Sequence, residues 1–184
     1  MKIALVIGHN ERAQGAVRAT DGRTEYDWNG DLAEMIRDLD PEAVRVFRRT
    51  PEGGYSREIA RVYGEVDAWG ADVSLELHFN AATPAAHGCE TLSSGTRGSL
   101  ALCRAVQESI VNGMPVRDRG VKVRGRGDRG GASLWAGRAP AALLEPYFGS
   151  NADECHMADD YKSVLAEAIY TAAAQAARQC SAAT

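Results

Sequence analysis

The chain has 184 residues, 45% of them apolar, enough to bury one sizeable core but short for two, so residues 1–184 are expected to form a single domain. With 21 basic against 25 acidic residues the formal net charge is -4, which excludes a general attraction to nucleic acid or to an anionic membrane. The opening apolar run is broken by Gly8-His9-Asn10-Glu11-Arg12 before a signal-peptide core can form, and no other stretch reaches transmembrane length. Synthesis in the cytoplasm without membrane insertion is therefore expected. The four cysteines, Cys89, Cys103, Cys155 and Cys180, have no C-x-x-C spacing, and buried free thiols are the expected state.

In chain order, Ile3 to Ile7 is a continuous β-favouring run ending at Gly8, the pattern of a central strand that delivers His9 to a sheet rim. Thr24 is a capping residue, and Trp28, Leu32, Met35, Ile36 and Leu39 follow at helical spacing, with Glu25 in the first turn. A short strand is predicted over Ala43 to Phe47, a helix over Tyr55 to Trp69, and a strand over Val73 to His78 that ends on the second histidine. Gly88 to Leu92 reads as a strand, and Leu102, Val106 and Ile110 mark an amphipathic helix over Leu100 to Val111. A glycine- and arginine-rich tract follows. Ala141 to Leu144 is the next apolar strand and carries Glu145 at its end, and Ala158 to Ala177 closes the chain as an alanine-rich helix. The alternation predicts α/β layers around one mostly buried sheet, with no linker and no repeat.

His9, Glu25 and His78 each stand at an element boundary, where ligands gather at one rim of an open α/β sheet. Two imidazoles and a carboxylate are the donor set of a hydrolytic zinc site with an open fourth position. For Glu25 the ligand reading is preferred to the alternative, a first-turn carboxylate facing the helix dipole. For Glu145 the catalytic reading is preferred to the alternative, a buried acid paired with an arginine such as Arg138. His87 and His156 are read as structural or surface residues.

Ile7-Gly8-His9, Glu25-Tyr26-Asp27-Trp28-Asn29, Leu77-His78-Phe79-Asn80-Ala81, Gly88-Cys89-Glu90 and Leu144-Glu145-Pro146-Tyr147-Phe148-Gly149-Ser150-Asn151 resemble, in that order, the N-acetylmuramoyl-L-alanine amidases of the Amidase_3 type. The resemblance spans nearly the whole chain. It implies a single-domain α/β fold, phosphorylase/hydrolase-like, with a mixed sheet between helices. It also implies one zinc ion held by His9, Glu25 and His78, Glu145 as the acid/base, and cleavage of the muramoyl–L-alanine amide of peptidoglycan or muropeptides. Where the family carries Asp-Pro-Gly after the first histidine, this chain has Asn10-Glu11-Arg12-Ala13-Gln14-Gly15-Ala16, so a differently shaped loop is expected beside the metal. Glu76 replaces a small or apolar residue two positions before His78. It should share the face of His78 and is a candidate for orienting that histidine.

Arg117 to Arg129 is basic and glycine-rich but lacks the aromatics that stack on bases. It is expected to be a mobile loop bordering the cleft, with Arg124 and Arg126 as candidates to meet stem-peptide carboxylates. Asn80 is expected to fix the loop after His78 or to touch substrate, and Glu90 to be structural. With neither an export signal nor a separate wall-binding domain expected, the family reading is an endolysin from a phage or prophage, released through a holin to act on the cell wall; a cytosolic recycling amidase is the milder version. The rivals are a zinc carboxypeptidase or aminopeptidase and a non-catalytic peptidoglycan-binding module.

Overall fold

The computed structural model describes residues 1–181. Six strands form one sheet in the order β2-β1-β3-β6-β4-β5, where β1 is Ile3–Asn10, β2 Val44–Arg49, β3 Val73–Leu77, β4 Cys89–Ser93, β5 Asp118–Val123 and β6 Ala141–Glu145. Strands β2, β1, β3 and β6 run parallel, β4 is antiparallel to β6, and β5 is parallel to β4. The helices are α1 (Glu25–Leu39), α2 (Tyr55–Trp69), α3 (Arg97–Gly113), α4 (Gly131–Leu134), α5 (Ala152–Asp160) and α6 (Lys162–Ser181).

Alternation along β1 divides the interior in two. Ile3, Leu5 and Ile7 enter the larger core with Trp28 and Ile36 of α1, while Ala4 and Val6 face Val62, Tyr63 and Val66 of α2. A strand covered on both faces must read as a continuous apolar run, which is why Ile3 to Ile7 does. Along β3, Val73, Leu75 and Leu77 join the larger core, so Ser74 and Glu76 are left for the α2 side.

The Thr24 hydroxyl accepts from the Asp27 amide at 3.2 Å and starts α1 at Glu25. Far along the chain, the Asp159 carboxylate of α5 accepts from the Trp28 indole at 2.9 Å and from the Arg18 guanidinium at 2.6 Å. These bonds tie α1 and the segment before it to α5.

Two expectations need correction. The tract from Arg117 to Arg129 is not all loop: Asp118–Val123 forms edge strand β5. Its residues are half-exposed to exposed, so it carries no apolar alternation to read, and Gly120 with φ +77° together with a register shift beside β4 disguises it further. The closing helix begins earlier than Ala158 and is two helices, α5 and α6, that meet at Tyr161. The Asn151 side chain accepts from the Glu154 amide and so starts α5 well before the alanine-rich periodicity becomes visible.

Candidate active site

Parallel neighbours β1, β3 and β6 end on the same side of the sheet. That alone brings His9, His78 and Glu145 to one rim, since His9 is the last residue but one of β1, His78 follows β3 and Glu145 ends β6. Glu25 reaches the same rim from the first residue of α1.

One ligand atom from each of His9, Glu25 and His78 lies within 4.8 Å of the others. The Glu25 carboxylate is the pivot: Oε2 is 3.0 Å from His9 Nε2, and Oε1 is 3.1 Å from His78 Nδ1. Backbone amides hold it in place, Ala16 N–H donating to Oε2 at 2.9 Å and Phe79 N–H to Oε1 at 3.2 Å. Burial works against its charge, but hydrogen bonds to His78 and His9 override burial and hold the carboxyl well below the usual range. For His78, burial opposes protonation and hydrogen bonds to Glu25 and Glu76 outweigh it, pushing the imidazole up to about 10.

The chain leaves room for these rings on purpose-shaped backbone. A Cβ on Gly8 would lie 2.3 Å from His78 Cε1, and one on Gly15, whose φ is +83°, would lie 2.6 Å from Glu25 Oε2. His9 itself has φ 68°, uncommon for a residue with a Cβ, and its carbonyl is held by the Arg49 Nε–H at 2.8 Å. In the following loop the Asn10 Oδ1 accepts from Arg12 N–H and Ala13 N–H at 2.9 and 2.8 Å while its amide donates to Glu58 at 2.7 Å. The unusual Asn10-Glu11-Arg12 segment is thus a side-chain-closed turn. Two imidazoles and a carboxylate converging in space that a methyl group would fill can hold a divalent metal, and the nitrogen and oxygen donors suit zinc.

Glu145 is buried in the adjoining wall. Its Oε2 accepts from the Asn80 side-chain amide at 2.8 Å, and Arg129 lies 4.0 Å from Oε1. Burial and the negative charge of Glu90 push its carboxyl up to about 7, against the pull of His78 and Arg129. A cleft of about 360 Å³ joins His9, His78 and Glu145 with Tyr55, Glu58 and Arg129. An adjacent shallower groove continues past Glu145 to Asn80, Arg119 and Arg124.

Glu76 is buried beneath His78, its Oε1 3.3 Å from His78 Nε2. Asn80 spans two carboxylates, those of Glu145 and Glu90, and also receives the Ala81 amide on its Oδ1. Arg124 lines the groove, whereas the Arg126 guanidinium sits over the Trp135 ring at 4.8 Å. Arg138 pairs with Asp67 and not with Glu145. His87 and His156 are exposed. Within the Arg117 to Arg129 tract the sequence singled out Arg124 and Arg126 rather than Arg129, because the segment has no periodicity, and it missed the partnership of Glu90 with Glu145, which depends on a strand register that no spacing reveals.

The open sheet thus gathers, at one rim, a His-Glu-His cluster able to hold a metal ion and a buried glutamate beside it. The profile of the Amidase_3 family, N-acetylmuramoyl-L-alanine amidase, matches residues 3–175. The chain belongs to this family, and its activity is that of a peptidoglycan amidase. Among solved structures, an N-acetylmuramoyl-L-alanine amidase from Clostridium difficile 630 is 25% identical with a TM-score of 0.78, over 95% of this chain and 95% of that one. The catalytic domain of an endolysin targeting Clostridia Difficile superposes with a TM-score of 0.81 at 21% identity, over 95% and 97%. The catalytic domain of an N-acetylmuramoyl-L-alanine amidase from Bacillus (Paenibacillus) polymyxa var. colistinus gives 0.78 at 20%, over 95% and 97%. The last two share the fold. A search of curated protein sequences finds no match. Among the described residues no helix is long and apolar enough to cross a membrane.

Proposed function

We propose that the chain is a zinc-dependent catalytic domain that hydrolyses the amide between the lactyl group of N-acetylmuramic acid and L-alanine, with His9, Glu25 and His78 as the metal ligands and Glu145 as the acid/base. The observation that carries this reading is the convergence of the three donors beside a buried carboxyl pushed up to about 7. Held by His9, Glu25 and His78, a zinc ion would polarise the scissile carbonyl and lower the pKa of water enough for attack at neutral pH.

The residues of the chain supply the rest. Glu145 takes a proton as the water oxygen bonds to the carbonyl carbon, then returns it to the nitrogen as the C–N bond breaks, so that L-alanine leaves with a free amine. Asn80 keeps the Glu145 carboxylate aimed across the rim through its 2.8 Å bond. Arg124 and Arg129 line the groove beyond Glu145, which supports their assignment as the partners of stem-peptide carboxylates. Arg126, stacked on Trp135, would have to leave the ring to do so.

The likeness in fold to an endolysin catalytic domain supports a bacteriolytic role of phage or prophage origin, with holin-dependent release as the route to the wall. The deciding experiment is mass spectrometry of products from purified peptidoglycan, with and without chelation followed by zinc restoration. Free stem peptides with a new L-alanine amino terminus, appearing only with metal, are the expected result. Shortened peptides still attached to glycan would replace this reading with a peptidase, and binding without release would replace it with a binding module.

A further inference from the structure

Beneath His78, on the side of β3 that faces α2, lies a second carboxylate that the hydrolysis itself does not use. Glu76 is 1% exposed. Its Oε1 is 3.3 Å from His78 Nε2, and its Oε2 accepts from the Tyr63 hydroxyl at 3.2 Å. Burying a carboxylate this deeply costs several kcal/mol unless hydrogen bonds offset it, and an apolar residue at this position would fill the space between β3 and α2 without that cost. The carboxylate therefore has work to do on its partner.

The two nitrogens of His78 face opposite ways: Nδ1 toward Glu25 Oε1 at 3.1 Å, Nε2 toward Glu76. Both carboxylates are buried, but only Glu25 is one of the three converging donors; a metal held there takes the Nδ1 side, so the proton of a neutral imidazole stays on Nε2, facing Glu76, and Nδ1 carries the lone pair. His9 presents Nε2 to the same Glu25. We propose that Glu76 is a positioning residue that fixes His78 as the Nε2–H tautomer, so that the metal site is built from Nδ1 of His78 and Nε2 of His9. This rests on the metal reading above and adds to it a device carried by the Leu75-Glu76-Leu77-His78 segment.

The test is long-range ¹H–¹⁵N NMR of the imidazoles in the zinc-loaded protein, with zinc affinity measured by chelator competition for the native chain, Glu76→Gln, Glu76→Leu and Tyr63→Phe. The expected spectrum shows His78 protonated at Nε2 and metal-bound at Nδ1, and His9 metal-bound at Nε2. Glu76→Leu should lose about 10–100-fold in zinc affinity, the range for losing a carboxylate behind a ligand histidine. Glu76→Gln, whose amide oxygen still accepts, should fall between the two, and Tyr63→Phe should weaken binding by less than Glu76→Leu. Zinc bound through Nε2 of His78, or a folded Glu76→Leu that binds zinc as tightly as the native chain, overturns the proposal while leaving the metal reading intact. If Glu76→Leu does not fold, the native spectrum and Tyr63→Phe decide: unchanged affinity in Tyr63→Phe together with an Nε2 ligand overturns it. A native protein that binds no zinc removes both readings, whereas zinc on Nδ1 without peptide release removes only the assigned reaction.

Discussion

Glu90 and Glu145 stand opposite each other in the antiparallel register of β4 and β6 and share one donor, the Asn80 side-chain amide, at 3.2 Å and 2.8 Å. Two buried carboxylates this close do not both ionise cheaply. Arg119 resolves the competition by donating to Glu90 at 2.7 Å: burial would raise Glu90, but Arg119 holds it below its ordinary value, and Glu145 is left pushed up to about 7. Glu90→Gln removes the negative neighbour, so the Glu145 carboxyl should titrate at lower pH. ¹³C NMR of the glutamate side chains in metal-free protein measures this directly, and the acid limb of the pH–rate profile should move the same way. An unmoved titration would mean that Glu90 does not help set Glu145.

Removing the carboxyl of Glu145 separates catalysis from metal binding. Glu145 is in hydrogen-bonding contact with Asn80 and is not one of the three converging donors. Glu145→Ala should therefore keep the fold and the bound zinc while losing about 10²–10⁴-fold in turnover, the usual contribution of a positioned acid/base. His78→Ala should lose both metal and turnover, because it removes a donor and leaves Glu25 and Glu76 facing each other without the imidazole between them. Metal content by elemental analysis beside peptide release distinguishes the two, and a metal-free Glu145→Ala would move that residue into the ligand set.

How much of this was legible in the sequence follows from what each signal depends on. Strand β1 announces itself because both faces are covered, and α1 because Thr24 caps a 3.6-residue apolar repeat. The placement of His9, Glu25, His78 and Glu145 at element ends follows from those elements, and the ordered motifs name the family. Strand β5 was illegible because an exposed edge strand needs no apolar alternation. The opposition of Glu90 and Glu145 was illegible because it depends on the antiparallel insertion of β4 beside β6, and register across strands far apart in sequence leaves no local trace. The contact of Glu76 with His78 was half legible: the period of two gives the shared face, but the Tyr63 hydroxyl that completes it comes from α2.

Gly15 tests whether the glycine loop is shaped for the metal donors. Its φ of +83° already disfavours a side chain, and a Cβ there would sit 2.6 Å from Glu25 Oε2 and 2.6 Å from His9 Cδ2. Gly22 is the control, with φ +74° and nothing within 4 Å of the added carbon. Both Gly→Ala changes should cost about 1–2 kcal/mol in backbone strain, seen by thermal unfolding. Only Gly15→Ala should also weaken zinc binding, on the order of 10-fold if the donors are turned as much as losing a supporting hydrogen bond turns them. Equal zinc affinity in the two variants would show that the loop yields without disturbing Glu25 or His9.

Glu154 couples the site to α5. Its buried carboxylate accepts from the Gly88 amide at 2.6 Å and from the Phe148 amide at 2.7 Å, the first just before β4 and the second just after β6. It therefore clamps together the chain segments that carry Glu90 and Glu145. Glu154→Ala strands two buried N–H groups, each costing about 1–3 kcal/mol, so a loss of about 2–6 kcal/mol in urea unfolding is expected. Glu154→Gln offers an oxygen to one amide and a donor to the other, and should recover only part of that loss. Because β4 would then be free to shift against β6, the Glu90→Gln effect on Glu145 titration should shrink in the Glu154→Gln background. Stabilities within about 0.5 kcal/mol of the native chain for both variants, the range of ordinary surface substitutions, would show that other contacts hold these two segments in register.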